Sequence, residues 1–427
     1  MSILRTSLLI PLLLLAAQIS AQNTSNYLSD HAVDITAGIS NPEKILDAKF
    51  YAHQLFLLGE IHGIQKGQDI DYDFVTLLNR TIQLKTYVAE VDFAKAHLLN
   101  KYLETGDEKL IDAVFQDWTE QDAQWGNKDF QDKVRKIRVF NSKLKPFQRI
   151  HFEGIDQIQN SALAAGYFTE ALKDHAFRNI RGSFNPLIKA LLAKNDSLII
   201  STSITLNIEI EQYMAKKQNT TDKGDASKFN DLRYALHNCI AIKSSREGVL
   251  HKNFVELFKI REWSREKLYG FFGFAHILLA KGNEGNYESM AYKLQNDNEL
   301  NLKDRIISIA LIYVDSKMMM PTTALPETWR EKGKRFSSTD QFNHDGPLIT
   351  LAGIEDFKSV TNPNTTILFD LRATGSPYLN KEITITYADM MPKGQRLLLN
   401  DKGKNTTDYF QYLILIRNSE QTRPIHP

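Results

Sequence analysis

The chain has 427 residues, of which 42% are hydrophobic and 24% charged, and its formal net charge is +1. Such a composition supplies a sizeable core, and the even balance of charge argues against nucleic acid or an anionic membrane surface as the main partner.

The elements begin with "MSILRTSLLIPLLLLAAQIS". One cation, Arg5, precedes an apolar run too short for a membrane span, and the small residues Ser20 and Ala21 follow, so residues 1–21 are predicted to be a cleaved signal peptide. The expectation is an exported protein, periplasmic or secreted, with no stable membrane span after cleavage. Export permits disulfides, yet Cys239 is the single cysteine and reads as a small buried apolar residue. The sequons at Asn23, Asn219 and Asn405 mark polar surface.

Residues 22–427 read as one α/β domain. Short apolar or β-branched runs recur: "HQLFLLGE", "KTYVAEVD", "RIHFEGID", "KLYGFFGFAHI", "RIISIALIYV", "TTILFDLR", "EITITYA" and "YFQYLILIR". Near-continuous apolar strands imply a sheet covered on both faces. Between the first two lies "YDFVTLLNRTIQL", with apolar residues at helical spacing, which makes a βαβ unit. The fold class is therefore three-layer α/β: a mostly parallel central sheet flanked by helices. Residues 160–255 read as a mainly helical insertion in which "SLIISTSI" is the one candidate strand, broken by the polar stretch Lys216 to Lys228. Pro and Gly cluster over 320–347, which reads as a long loop.

Chemistry gathers at the strand ends. The first strand finishes in Glu60 and His62, the second in Glu90 and Asp92, the third in Glu153 and Asp156, and the fourth carries His276. Open parallel sheets bind ligands in the crevice outside the carboxyl ends of their strands, so these groups can share one pocket. Taken singly, such carboxylates cap helices and such histidines are structural. Their coincidence across four strands points to acid–base work. No G-x-S-x-G elbow, H-E-x-x-H helix, P-loop or G-x-G-x-x-G is present, so hydrolysis would use water activated by His or carboxylate, or by a metal they hold.

These residues resemble the erythromycin esterase family of the erythromycin esterase/ChaN-like superfamily. "GEIHG" is similar to the family's G-E-x-x-H-G turn but is one residue shorter. "YVAEVD", "NKYLETG", "FQDW", "IRVFN", "GIDQIQ" and "REGVLHKN" resemble its successive motifs in order. "FGFAHI" is similar to A-H-N-x-H-I, with Gly273 in place of the first histidine and Phe274 in place of the asparagine. The resemblance implies a metal-independent ester hydrolase without a cofactor. In it His62 would deprotonate water, Glu60 and Glu90 would orient that base and water, and His276 and Arg246 would hold the carbonyl oxygen. Asp92, Asp156, Trp118 and Phe274 are the expected substrate-binding residues. The departures imply a small ester or lactone substrate in place of a macrolide. Two further readings stand beside this one: a zinc or manganese hydrolase using Glu60, His62, Glu90, Asp156 and His276, and a non-catalytic haem- or small-ligand-binding envelope protein, as in ChaN-like relatives.

Overall fold

The computed structural model describes residues 23–40, 42–217 and 223–426. The signal-peptide expectation and the middle of the polar stretch, with Asn219, lie outside the described residues.

Eight strands form the central sheet, in the order β1 (Ala32–Asp34), β10 (Thr366–Asp370), β12 (Tyr412–Arg417), β6 (Ile306–Val314), β2 (Leu55–Glu60), β5 (Leu268–Gly273), β3 (Thr86–Ala89) and β4 (His151–Gly154). From β12 to β4 every pairing is parallel, whereas β10 runs antiparallel to both neighbours. This is the mostly parallel α/β sheet that the apolar runs predict. Two small sheets sit apart, pairing β7 (Met318–Pro321) with β8 (Phe336–Thr339) and β9 (Ile349–Leu351) with β11 (Ile385–Tyr387).

The side chains explain why the sheet is covered on both faces. All nine residues of β6 are buried. Ile306, Ala310, Ile312 and Val314 join one apolar cluster, while Ile307, Ile309, Leu311 and Tyr313 join the other, as the period of two requires. β2 divides likewise, with Leu55 and Leu57 on one side and Phe56 and Leu58 on the other. Burying each of the valine, leucine, isoleucine and phenylalanine side chains stabilises the fold by roughly 1.5–3 kcal/mol relative to exposure.

Several expectations are corrected. "SLIISTSI" is part of the helix Asp196–Lys217, because Ile199, Leu206 and Ile210 are buried at helical spacing. "EITITYA" supplies β11, which pairs with β9 and stays outside the central sheet. The stretch 320–347 contains β8 and the end of β7. β1, only three residues long, is an additional edge strand. Between β4 and β5 the described residues form helices and 3-10 turns without a strand, including Ser161–Ala171, Lys223–Ile240 and Arg246–Ile260.

Candidate active site

The order β2, β5, β3, β4 sets four carboxyl ends side by side, although β5 follows β4 in the chain by more than a hundred residues. Glu60 ends β2 opposite Gly273 at the end of β5. Glu90 follows β3, and Asp156 follows β4. Two glycines fix how the chain leaves these ends. A Cβ on Gly59 would stand 2.4 Å from Ile277 Cγ1 and 3.3 Å from Phe274 Cα, so its absence lets the turn Phe274–Ile277 close over β2. Gly63 has φ +93°, and a Cβ there would stand 2.4 Å from Met319 O. Its own carbonyl accepts the Met319 and Thr422 N–H groups, which anchors the turn carrying His62.

Two imidazole–carboxylate units result. His62 Nδ1 lies 2.9 Å from Glu60 Oε1, and Gln68 Nε2 donates to Glu60 Oε2 at 3.3 Å. His276 Nδ1 lies 2.5 Å from Glu247 Oε1, and its Nε2 lies 3.4 Å from Glu90 Oε1. A Cβ built on Gly273 would stand 3.4 Å from both His62 Nε2 and His276 Cδ2, and 3.8 Å from Glu90 Oε2. The imidazoles of His62 and His276 therefore meet across Gly273, with Glu90 beside both.

Glu90 is held from several sides. Arg246, at the start of its helix, donates from Nη2 at 2.5 Å, and the Gly273 N–H donates at 2.7 Å. The same guanidinium grips Asp156 through Nε at 3.0 Å and Nη2 at 2.7 Å, a bidentate pair. Burial pushes the Glu90 carboxyl up, but the positive charges of His276 and Arg246 outweigh it and hold the pKa well below the usual carboxylate range. For His276, burial disfavours the cation, yet Glu90 and Glu247 raise its pKa to about 10. For His62, burial also lowers the pKa, and the Glu60 hydrogen bond with the charges of Glu60 and Glu90 raises it above the ordinary value. Burial raises the pKa of Glu60.

Beside His62 a cavity of about 30 Å³ is lined by Glu60, His62, Glu90 and the aromatic residues Tyr87, Trp118, Trp125, Phe130 and Phe271. It has room for about one or two water molecules. Behind it, buried Asp71 accepts hydrogen bonds from Tyr87 OH at 2.7 Å and Tyr269 OH at 2.6 Å and pairs with buried Lys133. Lys133 Nζ lies 3.9 Å from the Phe130 ring centroid and 4.8 Å from that of Phe271, so the cation supports the cavity wall from behind.

Of the residues read from the sequence, Glu60, His62, Glu90, His276, Arg246 and Asp156 form one connected polar group, and Trp118 lines the cavity. Asp92 and Phe274 are not brought to it. Asp92 accepts the Lys95 and Gln159 N–H groups as a helix cap, fully buried. Phe274 packs against Phe410 in the core. Glu153 turns aside to Arg261 at 2.8 Å. The metal reading meets an obstacle, because Glu90 and Asp156 already share a guanidinium. Among the described residues no three His, Cys, Asp or Glu side chains group as metal ligands. Two participants were missed. Glu247 stands beside Arg246 in "REGVLHKN", where its charge was visible but its partner was not. Trp125 lies in a loop and packs edge-on to His62, with ring centroids 5.1 Å apart; an aromatic next to glycine in "QWGN" was the available signal.

No family model and no curated protein matches the chain. Among solved structures, a Bacillus cereus protein is similar over 95% of this chain and 99% of its own, with a TM-score of 0.69 and 14% identity. A succinoglycan biosynthesis protein covers 94% and 98% at TM-score 0.65 and 12% identity. A mutant of the erythromycin esterase EreC, in its open conformation, covers 88% and 93% at TM-score 0.55 and 11% identity. At such identities the likeness establishes a shared fold. No helix among the described residues is long and apolar enough to cross a membrane.

Proposed function

We propose that this protein is an exported hydrolase that cleaves a small ester or lactone with water activated by His62. The observation that carries the reading is the Glu60 carboxylate 2.9 Å from His62 Nδ1, which leaves Nε2 facing Glu90 and the cavity. A carboxylate on Nδ1 fixes the tautomer whose Nε2 lone pair accepts a proton. Water between Nε2 and Glu90 gives its proton to Nε2 while its oxygen adds to the carbonyl carbon. The tetrahedral intermediate then collapses: the ester C–O bond breaks, and the proton passes from Nε2 to the departing alkoxide. The cationic His276 and Arg246 keep Glu90 ionised beside the water and set positive charge near the developing oxyanion. A positioned base contributes roughly 10²–10⁴-fold and an oxyanion donor about 10²–10³-fold.

The fold shared with an erythromycin esterase supports this reading. A cavity of about 30 Å³ suits the attacking water beside His62 and has no room for a macrolactone ring. The Arg5-led apolar start supports export. The test is a panel of 4-nitrophenyl esters and lactones with purified wild-type and His62→Ala proteins. Hydrolysis that is lost in the variant and unchanged by a chelator is the expected result. Full turnover by His62→Ala would remove the general base, and loss on chelation would favour a metal hydrolase.

A further inference from the structure

The motif "GIDQIQ" ends in a side chain that the hydrolytic steps leave unused. Gln159 follows β4 and joins several elements. Its Nε2 donates to Asp156 Oδ2 at 2.9 Å, and its Oε1 accepts from Trp118 Nε1 and from Lys95 Nζ, each at 2.8 Å. Its backbone N–H donates to Asp92 Oδ2 at 2.9 Å, and its backbone carbonyl accepts from Gln121 Nε2 at 3.4 Å. Asp92, Lys95 and Asp156 are buried, and Lys95 Nζ also pairs with Asp117 Oδ2 at 2.6 Å.

The chemistry of these partners fixes which way the amide points. An indole N–H and an ammonium can only donate, so they require the oxygen. An ionised carboxylate can only accept, so it requires the amide nitrogen. A flipped amide would set donor against donor at one end and acceptor against acceptor at the other, and buried groups left unpaired are costly. Glutamate at this position would lack the donor, and methionine would lack both functions. Asp156 is thereby held at each oxygen, because Oδ1 also accepts the Gln157 N–H at 2.8 Å. The same carboxylate grips Arg246, which reaches Glu90, while Trp118 lines the cavity beside His62.

We propose that Gln159 is a positioning residue: its amide fixes Asp156, and through it the Arg246 guanidinium, against the Trp118 wall of the water cavity. Its effect on turnover rests on the hydrolase reading. Arg246 is 35% exposed, and a long side chain so placed has rotamer freedom to lose. A carboxylate already immobilised removes that freedom before charge develops on the substrate oxygen.

The test separates the two ends of the amide in the full chain. Gln159→Glu keeps an acceptor for Trp118 and Lys95 and loses the donor to Asp156; Gln159→Met loses both. On the best 4-nitrophenyl ester, with rates referred to the folded fraction from urea titration, each variant is expected to lose about 10–100-fold in kcat. KM is expected to stay within about threefold, because the cation acts on charge that appears only in the transition state. A residue that merely held its loop together would lower the folded fraction and leave kcat per folded molecule unchanged. Wild-type kcat in both variants overturns the proposal.

A second measurement needs no turnover. In protein labelled with ¹⁵N-tryptophan and ¹⁵N-arginine, the indole N–H signal missing from Trp118→Phe identifies Trp118, and the Nε–H signal missing from Arg246→Lys identifies Arg246. The Arg246 signal is expected to shift in both Gln159 variants. The Trp118 signal is expected to move upfield in Gln159→Met and to hold its place in Gln159→Glu. If the Arg246 signal is unmoved in both, the positioning role falls even where esters are hydrolysed. If both signals respond as expected and no ester is hydrolysed by the wild type, the positioning role stands and the hydrolase reading falls.

Discussion

Replacing Glu60 with Gln tests the proposed base most directly. Glu60 is 5% exposed and its Oε1 lies 2.9 Å from His62 Nδ1, so bulk water does not take its place when the charge is removed. An amide nitrogen turned toward Nδ1 would donate to it and drive the ring proton onto Nε2, the atom that must accept from water. The full general-base contribution is then at stake, roughly 10²–10⁴-fold in kcat/KM, or about 3–5 kcal/mol of barrier at 1.36 kcal/mol per tenfold. The pH profile supplies an independent readout. The wild-type His62 pKa is raised above 6.5 chiefly because Glu60 offsets burial, so activity rises with pH through a limb above 6.5. Without that carboxylate, burial and the Arg246 charge act in the same direction and the limb moves to lower pH. Linkage gives the matching sign for stability: a raised folded-state pKa stabilises below the unfolded value, and that contribution is lost as pH rises through the folded value. The assay is kcat/KM of both proteins from pH 5 to 9 on the best ester of the panel. A variant within about threefold of wild type, with its acidic limb unmoved, would refute the reasoning.

Three further outcomes concern the scaffold. Gly59→Ala places a methyl 2.4 Å from Ile277 Cγ1 and 3.3 Å from backbone Phe274, and is expected to lower the urea unfolding free energy by about 1–3 kcal/mol. Lys133→Met leaves the Asp71 carboxylate buried beside two tyrosines without its cation; a loss of about 3–5 kcal/mol is expected in denaturant titration, and a neutral result would show the pair to be dispensable. His344 is 1% exposed, and burial lowers its pKa to about 4. Since the unfolded chain binds this proton near pH 6.5 and the folded chain does not, stability is lost as pH falls from 6.5 toward 4, by an amount on the order of 3 kcal/mol. His344→Asn should therefore show a shallower decline of urea midpoint over that interval than the wild type, and equal slopes would contradict the assignment.

How much of this was legible in the chain follows from what each signal encodes. The runs "LFLLGE" and "RIISIALIYV" announce strands because burial on both faces demands apolar side chains at successive positions. The same chemistry misleads in "SLIISTSI", where a β-branched run is overridden by packing of the helix on its neighbours. In "EITITYA" the alternation correctly marks a strand, but alternation does not specify a partner, and β9 rather than the central sheet takes it. At the site, Glu60, His62, Glu90 and His276 were readable because strand ends are topological positions. Glu247 and Trp125 were not: each acts on a histidine through packing of a helix start or a loop, and Asp92 and Phe274 were misplaced for the same reason.

The interleaving of β5 between β2 and β3 has a consequence for biosynthesis. Arg246 and Glu90 are 156 positions apart, and the second imidazole lies further along still. An N-terminal fragment that ends before β5 carries Glu60, His62 and Glu90 but lacks both β5 and β6, so both edges of β2 and one edge of β3 have no strand to pair with. Contacts of such long sequence separation form late, so the nascent chain is inert until the segment containing Leu268–Gly273 threads into place. Truncation upstream of that segment should yield an aggregation-prone product rather than a smaller enzyme.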